Sequence, residues 1–174
     1  DFCQSIVSYS AIPLDIHLMV ENPDAFIPVF AAFTNSIITI HPETSYHPLR
    51  TIELIKSHGA VPGIAVDPAL PVEAVRHLLP GVGQICIMTV NPGYAGQSLA
   101  PGALEKIKDC AQYLKFLNLP IDIEVDGNVS WDNIPKMLAA GANVLVTGSS
   151  SLFEKGKDRQ SNFNKLKEMI TDFG

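Results

Sequence analysis

Six short runs of β-branched and other apolar residues punctuate the chain, at 14–20, 37–41, 63–66, 84–90, 121–126 and 144–147. Each has the length and composition of a strand. The segments between them repeat apolar residues at helical spacing instead. Residues 24–33 follow Pro23 and residues 72–79 follow Pro71, and proline suits the first turn of a helix. Residues 49–58 stop at Gly59 and residues 132–140 at Gly141, where a glycine takes a left-handed cap without strain. Residues 103–117 place Leu104, Ile107, Ala111 and Leu114 on one stripe, and residues 162–173 do the same with Phe163, Leu166, Met169 and Ile170. Strict alternation of strand and helix predicts parallel strands joined by crossover helices, an α/β fold.

The ends of the strands choose between the two common parallel architectures. His17, His41, Asp67, Asn91, Asp126 and Gly148 all lie in or just after a strand. A (β/α)8 TIM barrel gathers the carboxyl ends of all its strands into one site, so polar residues after nearly every strand fit it. An open doubly wound sheet would concentrate them at one switch point, and no G-x-G-x-x-G follows any strand. The expectation is therefore a single barrel domain over residues 1–174, with six of the eight strands. The first two βα units are expected to be absent from this chain, and residues 2–10 read as the end of a helix leading into the first run.

Composition narrows the partners. The 174 residues are 47% hydrophobic and 17% charged, as an ordered globular domain requires, and can bury a sizeable core. A net charge of −6 carries no basic footprint, so nucleic acid is not an expected partner. No apolar run approaches the roughly 18 residues of a membrane span, and no secretory leader is visible. Three widely spaced cysteines make no disulfide framework. Cys86, inside an apolar run, reads as an inert core thiol, and a reducing cytoplasm is the expected location.

The candidate chemistry sits on alternating faces. Asp15, His17 and Met19 share one face of the first run, opposite Ile16, Leu18 and Val20. His17 should then point into the barrel mouth, unless it is a satisfied structural histidine. Asp122, Glu124 and Asp126 likewise share a face. At least one of them should be paired, protonated or bound to a cation, because an unpaired buried charge is costly; the alternative is a frayed strand with solvated acids. Gly127 and Asn128 offer backbone N–H groups ahead of a helix, a plausible anion site. Residues 91–97 hold Gly93, Tyr94, Ala95 and Gly96, which suits a loop closing over a ligand as well as a plain surface loop. Gly148 and Ser149 begin a third turn suited to phosphate, with a short helical turn expected through 152–153. His41 either lines the site or caps its strand. His47, His58 and His77 receive no role.

Taken in order, His17-Leu18-Met19-Val20, the stretch from Met88 to Gln97, Glu124-Val125-Asp126-Gly127 and Gly148-Ser149 resemble the ribulose-phosphate 3-epimerase family. The resemblance runs through the whole chain, most clearly over 13–153. It implies a (β/α)8 barrel and a bound divalent metal (Zn, Fe, Mn or Co). Of the family's two histidine and two aspartate ligands, His17 and Asp126 match one of each. The other two belong to a second strand that this chain does not match. Phosphate-binding positions carry over to Gly93, Tyr94, Ala95 and Gly96, to Gly127 and Asn128, and to Gly148 and Ser149. Met19 and Met88 match methionines that line the reacting centre, with His41 nearby. Asn128 stands where many members have a second glycine, and Tyr94-Ala95 where many have Phe-Gly. The non-glycine Asn128, together with His41-Pro42-Glu43-Thr44 and the Gly148–Phe153 stretch, looks more like the allulose-6-phosphate 3-epimerase branch, which acts on a six-carbon ketose phosphate.

What the resemblance implies is epimerisation at C3 of a ketose phosphate. Asp126 would exchange the C3 proton on one face, and an aspartate of the unmatched strand would serve the other. The small-molecule ketose phosphate is the expected partner, together with further copies of the chain in a homo-oligomer. Two other readings stay open from the residues alone. The chain could be a non-catalytic fragment that binds a sugar phosphate or a partner subunit. It could also be another phosphate-binding barrel, such as a decarboxylase or synthase, although none of the six runs ends in the lysine such enzymes typically use.

Overall fold

The computed structural model describes residues 2–33, 35–94 and 96–171. A helix, α1 (Phe2–Tyr9), leads into β1 (Asp15–Leu18). Then follow α2 (Ile27–Phe30), β2 (Ile37–Ile40), α3 (Pro48–Ser57), β3 (Val61–Val66), β4 (Gln84–Met88), α4 (Ala103–Leu117), β5 (Asp122–Asp126), α5 (Ile134–Ala140), β6 (Val144–Leu145) and α6 (Arg159–Thr171). All six strands are parallel and pair in sequence order, β1-β2-β3-β4-β5-β6.

Side-chain contacts show that this sheet is curled. Neighbouring strands lie about 4.8 Å apart, so in a flat sheet β1 and β5 would be about 19 Å from each other. Yet His17 Nδ1 of β1 stands 3.5 Å from Asp126 Oδ2 of β5. Gln84 Nε2 of β4 also donates to Asp15 Oδ2 of β1 at 2.9 Å. The six strands therefore form a TIM-barrel-like arc whose concave face brings the first and fifth strands together.

Each face follows from the period of two. On the convex side Leu18, Ile38, Ile40, Ile64, Val66, Ile85, Ile87, Ile123 and Val125 pack against Ile52 and Ile55 of α3, Ile107, Cys110 and Leu114 of α4, and Ile134 and Met137 of α5. Each fully buried isoleucine contributes about 1.5–3 kcal/mol of apolar burial. The intervening residues face inward: Asp15, His17, Thr39, Gln84, Glu124 and Asp126, with Ala65, Cys86 and Met88 as a small apolar patch among them. The fold thus places its charge inside the arc and its grease outside.

Two expected helices give way to tighter turns, the first only in part. Residues 24–33 contain Pro28, which cannot donate to a carbonyl four residues back. A 3-10 turn at Pro23–Ala25 therefore precedes α2, whose second position is Pro28. Residues 72–79 are bracketed by Pro71 and Pro80 and form two 3-10 turns, Val72–Val75 and Leu79–Gly81. Both still bury their apolar residues, Val72, Val75 and Leu79. The last strand, Val144–Leu145, is shorter than 144–147, although Val146 N still donates to Val125 O. Residues 148–154 form hydrogen-bonded turns where a short helical turn was expected: Ser151 N and Phe153 N both donate to Gly148 O. The last expected helix reaches to 173, and residues 172 and 173 lie outside the described residues. No helix among the described residues is long and apolar enough to cross a membrane.

Candidate active site

Asp126 is the last residue of β5, and its backbone is clamped from β4. Thr89 N donates to Asp126 O at 2.8 Å, and Thr89 Oγ1 donates to the same carbonyl at 3.0 Å and to Gly127 O. The clamp holds the carboxylate at the rim of the concave face, a quarter exposed. A chain of polar contacts starts there. Asp126 Oδ2 lies 3.5 Å from His17 Nδ1, His17 Nε2 lies 3.0 Å from His41 Nε2, and His41 Nδ1 lies 3.2 Å from Glu43 Oε1. The two imidazoles stack, with ring centroids 4.9 Å apart.

The electrostatics of this chain are set by burial. His41 is held below the ordinary histidine pKa, first by desolvation and then by repulsion from His17, while Glu43 and Asp67 pull it back up. Two ring nitrogens at 3.0 Å can share one proton but cannot both be protonated without repulsion. His17 Nδ1 is buried and makes no hydrogen bond, so its 3.5 Å approach to Asp126 is an electrostatic contact only. An imidazole nitrogen without a hydrogen bond, beside a carboxylate oxygen, is a donor pair that suits a divalent cation. Among the described residues no group of three or more His, Cys, Asp or Glu side chains could hold a metal ion; His17 and Asp126 bring two donors together.

Above Asp126 lies a cleft of about 360 Å³. Met19 and Met88 wall it, Gly93, Tyr94 and Gly96 border it, and Gly127, Asn128, Gly148 and Ser149 close its far side. Ala95 lies outside the described residues. His17 is not among the residues that line this cleft, and Met19, just past the end of β1, is 47% exposed. His41 lines an adjoining hollow of about 280 Å³ with Met19 and Gly93, and it also caps its strand: Thr44 N donates to its carbonyl. Among the described residues no lysine, arginine or histidine lines the main cleft. An anion there would rest on backbone N–H groups, and the left-handed φ of Gly127 (115°) and Asn128 (44°) turns successive peptides toward the same concavity.

The three inward carboxylates of β5 meet three different fates. Asp122 is exposed and accepts from Asn143 Nδ2 at 2.8 Å. Asp126 faces the cleft. Glu124 is buried, shares the Gln84 amide with Asp15, and its pKa is pushed up to about 8, chiefly by desolvation and next by Asp15. Glu124 is therefore protonated near neutral pH. Its folded pKa lies above its unfolded value, so the folded state keeps a proton that the unfolded chain releases. That stability is complete at pH values below the ordinary carboxylate range and is lost as the pH rises through about 8. Glu124→Gln should flatten this slope. Urea denaturation at about pH 6 and about pH 9 would then show a smaller loss in the variant than in the parent; equal losses would refute the assignment.

Residues that sequence reasoning passed over turn out to hold the site together. Gln84 bridges the two carboxyls, and its signal was an amide opening an apolar strand on the face of Cys86 and Met88. Gln97 Nε2 donates to Asn91 O at 2.6 Å and to Tyr94 O at 2.9 Å, folding the loop back on itself. Asn162 is the one buried residue of α6 and donates to Ser151 O and Leu152 O, steadying the turn that carries Gly148 and Ser149. Neither Gln97 nor Asn162 has a local sequence signature. Cys86 is a buried thiol whose pKa is raised well above the usual range by burial, as expected of a core cysteine.

Residues 1–153 match the model of the ribulose-phosphate 3 epimerase family. The chain belongs to this family. Among its relatives, the ribulose-phosphate 3-epimerase of Helicobacter pylori is 41% identical over 157 residues, which cover 90% of this chain and 71% of the relative. Ribulose-phosphate 3-epimerase 2 of Cupriavidus necator is 40% identical, covering 85% of this chain and 63% of the relative. The Escherichia coli ribulose-phosphate 3-epimerase is 41% identical, covering 79% and 61%. The chain thus spans roughly two thirds of the length of these epimerases. A mutant tryptophan synthase alpha-subunit from Pyrococcus furiosus superimposes with a TM-score of 0.65 at 17% identity, over 97% of this chain and 70% of the other. At that identity the likeness concerns the barrel fold alone.

Proposed function

We propose that this chain carries the substrate-binding and one acid–base half of a divalent-metal-dependent 3-epimerase of ketose phosphates. The observation that supports it best is the placing of Asp126, at the base of a cleft ringed by three glycine turns, 3.5 Å from the unbonded nitrogen of His17.

The carbon to be inverted lies beside the C2 carbonyl, so its hydrogen is acidic enough to leave as a proton and give an enediolate. Asp126 takes that proton from one face of the sugar, or returns it there. Inversion needs a second proton donor on the opposite face, which an aspartate of a further strand would provide. Met19 and Met88 carry no exchangeable proton, so they wall the planar intermediate without quenching it. Backbone amides at Gly93, Tyr94 and Gly96, at 127–128 and at 148–149 hold the phosphate. His17 and Asp126 would be two of the cation's ligands, with His41 fixing the ring of His17. Such a cation, when bound, supplies Lewis-acid stabilisation of the charge developing on the C2 and C3 oxygens.

The five-carbon pair D-ribulose 5-phosphate and D-xylulose 5-phosphate fits the names of the relatives. The six-carbon pair D-allulose 6-phosphate and D-fructose 6-phosphate is favoured by His41-Pro42-Glu43-Thr44 and by Asn128 in a glycine position. A coupled epimerase assay with both substrates, with added metal and with chelator, tests the reading. It is run on this chain and on one extended upstream by a strand bearing His-x-Asp. Metal-dependent turnover by the extended chain is expected, and the better substrate assigns the branch. No turnover by either chain would refute the epimerase reading and leave sugar-phosphate binding alone.

A further inference from the structure

The described residues of the loop at 91–97 are exposed or half-buried. The main cleft lies on one side of it, and a second hollow of about 380 Å³, lined by Pro68, Leu99 and Pro101, lies behind it. What fixes the loop is a line of side-chain amides. Gln97 Nε2 binds the Asn91 and Tyr94 carbonyls. Asn128 Nδ2 donates to Gln97 O at 2.7 Å. Asn133, at the cap of α5, donates through Nδ2 to Asn128 O at 3.1 Å and to Asn128 Oδ1 at 3.2 Å. The orientation of the Asn128 amide is decided by both neighbours, since reversing it would set oxygen against oxygen and nitrogen against nitrogen.

From this we infer that Asn128 is a positioning residue that ties loop 91–97 to the turn after β5, so that the two segments form one preassembled phosphate cradle. Both ends of its side-chain amide are already engaged, so the side chain serves as a strap. Asparagine is the residue type that permits this. It tolerates the left-handed φ of 44° where a glycine would also fit, and it adds a donor that glycine lacks. Holding the cradle together in advance removes an ordering cost that binding would otherwise meet. The inference deepens the epimerase reading but rests on it only for the kinetic readout.

Asn128→Gly is the clean test, because glycine keeps the backbone conformation at ease and deletes only the strap. One net hydrogen bond corresponds to about a 3–10-fold change in an equilibrium. Amide hydrogen exchange over 91–97 should therefore quicken about 3–10-fold in the variant, with the melting transition close to the parent's. The dissociation constant for inorganic phosphate should rise by a similar factor, and so should KM for the ketose phosphate, with kcat little changed. Asn133→Ala, which removes the anchor of the strap without touching the loop, should show the same exchange effect in weaker form. Unchanged exchange at 91–97 would overturn the tie. Faster exchange with unchanged phosphate affinity would overturn the positioning role. If the extended chain does not turn over substrate with or without the substitution, the epimerase reading fails, while exchange and phosphate binding still decide the strap.

Discussion

Asp126→Asn is expected to lower kcat/KM by about 10³-fold or more, with the fold intact. A positioned acid–base group supplies roughly 10²–10⁴ in rate, and an amide cannot exchange a proton at C3. The substitution would also weaken one of the two donors available to a cation, which adds to the loss. Stability should change little. The clamp on this residue is made through its carbonyl, by Thr89, and not through the carboxylate. The carboxylate makes only a 3.5 Å contact to His17. The measurement is steady-state kinetics on the extended chain beside a thermal melt. Near-parental turnover would remove Asp126 from the chemistry.

Gly127→Ala should destabilise the protein by about 2–6 kcal/mol and weaken phosphate binding. Two costs combine. The residue sits at φ 115°, which a side chain adopts only under strain of about 1–3 kcal/mol. A Cβ there would also stand 2.5 Å from Val90 Cγ2 and 3.0 Å from the Val90 backbone nitrogen. Val90 is buried, so it cannot rotate freely away, and overpacking of this kind costs about 1–3 kcal/mol. The turn would have to shift, and with it the amides that face the cleft. Urea denaturation reads the first effect and the phosphate dissociation constant the second. A loss below about 0.5 kcal/mol would mean that the turn relaxes without harm, contrary to the close approach of the two loops.

How much of this was legible beforehand depends on the range of the interaction. The six strands and the long helices α3, α4 and α6 follow from periodicity, a local property, and appear within a few residues of where the pattern puts them. The segments at 24–33 and 72–79 misled because apolar spacing alone does not register the missing donors of Pro28 and Pro80. Among the site residues, Asp126 with Gly127 and Gly93 with Gly96 stood out because their types are unusual at strand ends. His41 was undecided in the sequence, and the pairing of β1 with β2, which brings it against His17, gives it a place. Gln97, Gln84 and Asn162 act through contacts with carbonyls or side chains distant in sequence or hidden in a turn, and their residue types are too common to stand out.

By itself the sequence determined which residues face the helices and which face the arc's interior, because side-chain direction alternates along a strand whatever the strand packs against. It also determined that carboxylates, histidines and glycine turns would meet at one end, because parallel strands must all present their carboxyl ends to the same side. Only the tertiary structure decided how those groups divide the work. The curvature that sets His17 against Asp126, the burial that protonates Glu124 and leaves Asp122 in water, and the strap from Gln97 through Asn128 to Asn133 depend on distances between strands far apart in the chain. Such distances come from the closing of the sheet and the packing beneath it, which no local pattern encodes.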